Sequence, residues 1–239
     1  EKTIFEYEDI KGEALAVPVS NINPYLVDAP DLVLEKRNQP ICIVPTISYG
    51  SMANDDGHLL LDKEQRNALI AAEPATAPYI RRYMGAQEFL NNAERWCLWL
   101  KDISPSLMRS SNELRHRIEA VRKFRASSNR EATRNLAATP SLFGEDRQPL
   151  KSYLLLPKVS SENRPYMPIG FMPSEVIANG SALTISDSGH YEMGVLQSKM
   201  HMAWMRAVAG RMKSDYQYSA QIVYNNFPWP DIPEKLEPN

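Results

Sequence analysis

Proline decides where regular structure can run in this sequence. Eighteen prolines among 239 residues punctuate the two ends and leave the middle more regular, because a proline carries no amide donor and fixes φ. No internal repeat, low-complexity tract or long Gly/Ser linker separates these parts. With 43% hydrophobic and 23% charged residues, the chain is too apolar to stay disordered and can form a core of real size. Its length allows one large domain or two small ones. One is favoured, with room for a distinct tail.

Between the prolines the pattern alternates between strand and helix. Residues 41–48 read as a short strand with a proline edge or bulge, followed by a turn-rich loop over 49–57 that is long enough to be functional. Asp62 looks like an N-cap for a helix through Leu69 to Ala72, which Pro74 and Pro78 terminate. Residues 95–100, 153–159 and 182–185 are strand candidates, with Pro165 and Pro168 fixing an extended stretch between the last two. Strands and helices are interspersed without a βαβ rhythm, so the expected class is α+β: mixed strands and helices with a buried C-terminal core helix. That core helix, roughly residues 191–209, is apolar nearly all round, and Gly210 suits its stop.

A second helix starts at Asn112. Leu114, Ile118, Val121 and Phe124 follow the spacing of one buried face, leaving Arg115 and Arg122 on an adjoining flank. Arg125 breaks the pattern. A continuous helix would rotate Arg125 onto the apolar side, whereas Ser128 and Glu131 have capping-box spacing and mark a new helix. Kink and continuity both remain open on the sequence.

The net charge of −2 excludes any inference of nucleic-acid binding from bulk charge. Local clustering is different. Residues 109–134 hold eight basic and three acidic residues, so the rest of the chain carries −7. Such a basic island suits a polyanion: Arg115, Arg122, Lys123, Arg125, Arg130 and Arg134 could follow phosphates or probe a groove. A solvated helical face pairing with acids elsewhere fits the same composition.

A polar loop, Ser160, Ser161, Glu162, Asn163 and Arg164, carries groups that can pair with cytosine, adenine or guanine edges; an ordinary surface turn is the plainer reading. Arg206, Arg211, Lys213, Tyr216 and Tyr218 form a third group with Asn225 and Asn226, placed to hold phosphates, although the aromatic flanks favour core packing.

Catalytic constellations are weak. Asn23-Pro24-Tyr25 lacks one proline of the Pro-Pro-aromatic motif used by adenine-N6 methyltransferases, and no Gly-x-Gly turn for a cofactor tail occurs. Four scattered histidines and Cys42 and Cys97 without CxxC spacing make a zinc site a poor fit. Asp9-Ile10-Lys11 lacks an upstream Pro-Asp partner for a nuclease. Two cysteines give no disulfide framework, which fits a reducing cytoplasm, and the first residues are unlike a secretory signal. No window reaches the ~20 apolar residues of a membrane span. The start at Glu1, already within a hydrophobic and acidic pattern, is expected of a piece of a longer polypeptide.

Several stretches in shared order carry a resemblance: Asn23-Pro24-Tyr25-Leu26-Val27-Asp28-Ala29-Pro30, Arg95-Trp96-Cys97-Leu98-Trp99-Leu100, Val121-Arg122-Lys123-Phe124-Arg125, Ser141-Leu142-Phe143-Gly144-Glu145, Met200-His201-Met202-Ala203-Trp204, and Ile222 through Pro230. Together they resemble the target-recognition region of MmeI-like type IIL restriction-modification enzymes, which fuse nuclease, adenine-N6 methyltransferase and recognition parts. The resemblance implies that this chain recognises a duplex DNA sequence while a neighbouring domain flips and methylates an adenine. It implies double-stranded DNA and the methyltransferase domain of the same polypeptide as partners. It also implies S-adenosylmethionine for the parent protein, with a divalent metal if a nuclease is present, but no cofactor and no catalysis in this chain. On that basis residues 1–40 are expected to be a connector after the methyltransferase, 41–186 the recognition domain and 187–239 a C-terminal helical segment. The expected DNA-binding residues are the six basic residues of the island, Ser160 to Arg164, Arg211 and Lys213. The alternatives are a catalytic methyltransferase fragment built on Asn23-Pro24-Tyr25, and an interaction module docking an acidic partner domain.

Overall fold

The computed structural model describes residues 2–7, 11–31 and 33–231; Asp9 and Ile10 of the weak nuclease pattern lie outside the described residues. The strands are β1 (Lys2–Glu6), β2 (Leu15–Val19), β3 (Ile47–Tyr49), β4 (Leu60–Leu61), β5 (Ile80–Met84), β6 (Trp96–Leu98), β7 (Tyr153–Pro157), β8 (Val159–Ser160), β9 (Gly170–Met172), β10 (Ile177–Ala178), β11 (Ala182–Ser186), β12 (Gly210–Met212) and β13 (Asp215–Gln217). The α-helices are α1 (Lys63–Ala72), α2 (Ala86–Asn91), α3 (Pro105–Ser110), α4 (Asn112–Ala126), α5 (Glu131–Asn135), α6 (His190–Leu196) and α7 (Lys199–Val208). The class is mixed α+β. The chain divides into two compact units: Glu1–Val44, Val159–Met167 and Gly194–Asn239 form one, and Pro45–Lys158 with Pro168–Met193 the other.

The second unit carries two four-stranded sheets, ordered β10-β5-β6-β4 and β3-β11-β7-β9. β7 is buried along its whole length, with Leu154, Leu155 and Leu156 inaccessible, as expected for a strand paired on both edges and covered on both faces. It pairs antiparallel with β11, Leu155 opposite Thr184. At the end of β3, Gly50 lies so close to the Asn179 backbone that a Cβ there would collide with it, a close approach that needs glycine. The other core gathers Leu59, Leu61, Leu98 and Ile103 around Leu114, Ile118 and Val121 of α4, each large side chain contributing roughly 1.5–3 kcal/mol by its burial.

Local signals place the helices. α1 begins at a capping box in which the Asp62 carboxylate accepts from the Gln65 amide at 2.8 Å and the Gln65 side chain accepts from the Asp62 amide at 3.1 Å. α4 is anchored at its N-terminus by Ser111, whose hydroxyl oxygen accepts from the Leu114 amide at 3.0 Å, and by Glu73, whose carboxylate accepts from the Ser111 hydroxyl and the Asn112 amide. A carboxylate at that end complements the helix dipole.

Three expectations change. Of the 41–48 stretch only Ile47 and Ser48 are strand, with β3 running on to Tyr49; Ile43 is fully exposed and the Ile41 amide donates to the Asn225 carbonyl at 2.9 Å. The 191–209 helix is broken into α6 and α7 because Ser198 caps α7, accepting from the His201 amide. α7 buries one face (His201, Met202, Met205, Val208), leaves Met200 exposed, and ends where Ala209 turns extended, without a left-handed glycine. Finally, α4 runs on through Arg125, and α5 begins after Arg130 without the Ser128–Glu131 capping box.

In the first unit α7 and a π-helical turn at Ala220–Tyr224 pack beside the sheet β12-β13-β8, and β1 and β2 form a separate hairpin. Asn225 and Asn226 clamp the 35–41 segment: their side-chain amides donate to the carbonyls of Arg37 at 2.7 Å and Glu35 at 3.1 Å. These amides hold the chain to itself, and Tyr216, Tyr218, Phe227 and Trp229 are buried.

Candidate nucleic-acid interface

The basic island folds into α4 and α5, and its members separate by physical role. Leu114, Ile118, Val121 and Arg125 form the buried side of α4, while Phe124 is 37% exposed. The Arg125 guanidinium is saturated: Nε donates to Asn54 O at 2.9 Å, Nη1 to Leu136 O and Thr139 O, and Nη2 to Ala53 O and Leu142 O. All five N–H donors of an arginine are thereby used, and burial lowers its pKa, opposed by Asp55. This side chain cannot reach a phosphate, which corrects its assignment as a DNA contact. Arg117 is also internal, bonded to Glu113 at 2.7 Å and to the His58 carbonyl at 3.0 Å.

Arg115, Arg122, Lys123, Arg130 and Arg134 are exposed. Arg115 and Arg122, two turns apart, lie on one flank of α4, and Lys123 stands on the ridge away from the core. Arg122 lies 3.4 Å from Glu119 with both side chains about half exposed. Such a pair contributes under about 1 kcal/mol, so a phosphate can displace it. Arg134 donates to the Ser128 carbonyl at 2.9 Å, which leaves further donors of its fork outward.

The second cluster lies in the first unit. β13 pairs with β8, Tyr216 opposite Ser160, and with β12, Tyr216 opposite Arg211. This register brings together two groups that are about 50 residues apart in sequence. Arg211 stacks over the Tyr216 ring at 3.9 Å, donates to the Ser214 carbonyl at 3.0 Å and lies 3.8 Å from the Glu162 carboxylate. Ser161 closes the adjoining turn, its hydroxyl oxygen accepting from the Asn163 amide and its carbonyl from the Arg164 amide. Asn163 is exposed and Arg164 half-buried. Lys213 sits at the hairpin tip with φ 58°, exposed. Ser160 differs: it is buried within β8, so its hydroxyl is not presented outward, which corrects the reading of it as a base contact.

One cluster escaped the sequence reading. The half-exposed Tyr49 ring, at the end of β3, has the Lys158 ammonium 4.8 Å from its centroid and the Arg147 guanidinium 5.9 Å away. Three residues this far apart in sequence leave no spacing signal; the strand order β3-β11-β7 brings Tyr49 and Lys158 near.

The catalytic alternative loses its key atom. Asn23 is buried, and its side-chain oxygen already accepts from the amides of Tyr25 at 2.9 Å and Val27 at 3.2 Å, closing a turn. It cannot also hold a substrate amine. Among the described residues no group of three His, Cys, Asp or Glu side chains could hold a metal, and no helix is long and apolar enough to cross a membrane.

Residues 28–231 match the family described as MmeI, target recognition domain. The chain belongs to that family. Among relatives of this MmeI-type recognition domain is DNA methyltransferase A of Bacillus subtilis (strain 168), 37% identical over 214 residues, a match that takes in 90% of the chain and 24% of that protein. The fold is similar to that in a solved structure of the type IIL restriction-modification enzyme MmeI in complex with DNA, with TM-score 0.92 and 45% identity, covering 98% of this chain and 31% of that one. The chain thus spans 24% and 31% of the lengths of these two relatives.

Proposed function

We propose that this chain reads a duplex DNA sequence for a DNA-modifying polypeptide and carries no catalysis itself. In this reading Arg115, Arg122, Lys123, Arg130 and Arg134 hold phosphates, with the cations around Tyr49 as a further contact. Ser161, Glu162, Asn163, Arg164, Arg211 and Lys213 address the bases and their flanking backbone. Phosphate contacts position a protein while base-edge contacts specify. The remaining polypeptide would bind S-adenosylmethionine and methylate adenine at N6, with a divalent metal if a nuclease is present, working in the cytoplasm.

The observation that carries this reading is 45% identity across 98% of the chain to an enzyme whose solved structure is a complex with DNA. Titration of a labelled duplex at increasing salt tests it. Five phosphate contacts give an affinity that falls on the order of several hundredfold between roughly 50 and 200 mM salt. Failure to bind any duplex at low salt would overturn the proposal.

A further inference from the structure

Two arginines border one indole on the sheet β10-β5-β6-β4, and no acid stands between them. Arg82 of β5 lies directly opposite Trp96 of β6 in the antiparallel register, so the two side chains rise from one face as close neighbours. From α1, Arg66 lays its guanidinium over the same ring, 4.1 Å from the centroid. All three side chains are half-buried. The Nε–H of Arg66, the Nε–H of Arg82 and the Nε1–H of Trp96 are shut off from solvent and meet no acceptor. Buried donors and charges are ordinarily paired. Here, among the described residues, neither guanidinium has an ion-pair partner. Glu94, two residues before Trp96, is held by Lys63 at 3.2 Å, and Glu64 lies two positions from Arg66, on a different side of α1. The two forks are loosely tied. Arg66 Nη1 donates to the exposed Asn67 side chain at 3.1 Å, and Arg82 Nη2 to the Ala93 carbonyl at 3.5 Å.

We propose that Arg66, Arg82 and Trp96 form a binding site for a phosphate group, carried by a nucleic-acid backbone or free in solution. The donor set selects the ligand. It consists of N–H groups alone, so what fills it must be an acceptor. Two guanidinium charges with no internal counter-charge match a tetrahedral oxyanion, whose several oxygens accept from both forks and from the indole at once; a carboxylate brings one charge and two oxygens. Entry is past the outer ends of the two forks. Held only by the Asn67 and Ala93 bonds, the forks turn toward the entering oxygens and bring their Nε–H groups with them, while stacking on the indole keeps Arg66 over the site. The platform beneath is fixed, because Trp96 leads into Cys97 and Leu98, both inaccessible in the core. None of the three residues belongs to the groups proposed above to meet DNA, and the site does not depend on that reading.

Titration of the 239-residue chain with inorganic phosphate at constant ionic strength tests this, followed through the indole N–H resonances of its four tryptophans. Trp96→Phe identifies the resonance of Trp96, which moves saturably while those of Trp204 and Trp229 stay in place. Arg66→Gln and Arg82→Gln each weaken phosphate binding about tenfold or more, with the Trp204 and Trp229 resonances at their parent positions as the sign that each variant is folded. Arg82→Lys, which keeps the charge and loses the fork, weakens it as well. A short duplex in place of phosphate names the source. Movement of the Trp96 resonance by duplex, reversed by excess phosphate, assigns the group to a backbone, and movement by phosphate alone assigns it to a free anion. A Trp96 resonance that neither moves, or that acetate moves as strongly as phosphate, would overturn the proposal. Movement by phosphate in a chain that binds no duplex would count against the DNA reading and leave this site standing.

Discussion

The Arg125 guanidinium donates to the Ala53 carbonyl at 2.8 Å, deep inside the second unit, within a stretch whose composition reads as a polyanion grip. The same side chain ties the 53–54 loop to the 136–142 segment, so the end of α4 is fixed by the most basic residue type available.

Arg125→Ala takes a donor from five backbone carbonyls, of which those of Ala53, Leu136 and Thr139 keep a backbone amide donor, and removes about 4 kcal/mol or more of stability. Arg125→Lys recovers only part, because an ammonium has three donors and no planar fork. Lys123→Ala changes stability by less than about 0.5 kcal/mol. Chemical denaturation of the three variants checks this; an Arg125→Ala chain as stable as the parent would contradict the structural role.

The position of Arg125 also marks where sequence and structure part. The three-and-four spacing locates the buried side of α4 through Leu114, Ile118 and Val121 but selects Phe124 as its fourth member, since hydropathy ranks phenylalanine above arginine. What reverses that choice is a set of backbone carbonyls from residues 53–54 and 136–142, which no local pattern reveals. The Asp62 cap and the strand at 96–98 were legible because capping and apolar runs are local. The grouping of Glu162 with Arg211 was not, because it depends on the β8–β13–β12 register.

His201 is inaccessible in α7, with its Nε2 3.1 Å from the Tyr218 hydroxyl, and burial lowers its pKa to about 4 from the ordinary 6.5. The unfolded chain therefore binds this proton first as pH falls. Its contribution is complete above pH 6.5 and is lost progressively between 6.5 and about 4, by roughly 3 kcal/mol in total. Unfolding free energies across this range should show that slope in the parent and lack it in His201→Phe. A parent curve flat over the window would contradict the buried neutral imidazole.

Arg122→Ala and Lys123→Ala should weaken binding to every duplex alike, each lowering the salt slope by about 1. The readout is the dependence of log affinity on log salt concentration. Unchanged slopes would move the phosphate contacts elsewhere.

Arg164→Ala and Glu162→Gln should change which duplex is preferred more than how tightly any duplex is held. Loss of a good base contact costs about 1–3 kcal/mol of discrimination. Competition between duplexes differing at one base pair measures this. A uniform loss of affinity with the preference intact would place both residues on the phosphate backbone.

Retention of duplexes from a random pool by this chain tests the central claim most directly. Sequence reading predicts that one motif is enriched over successive rounds and that Arg164→Ala enriches a broader or different one. Uniform retention of the pool, with no motif rising, would contradict sequence reading and leave general polyanion attraction.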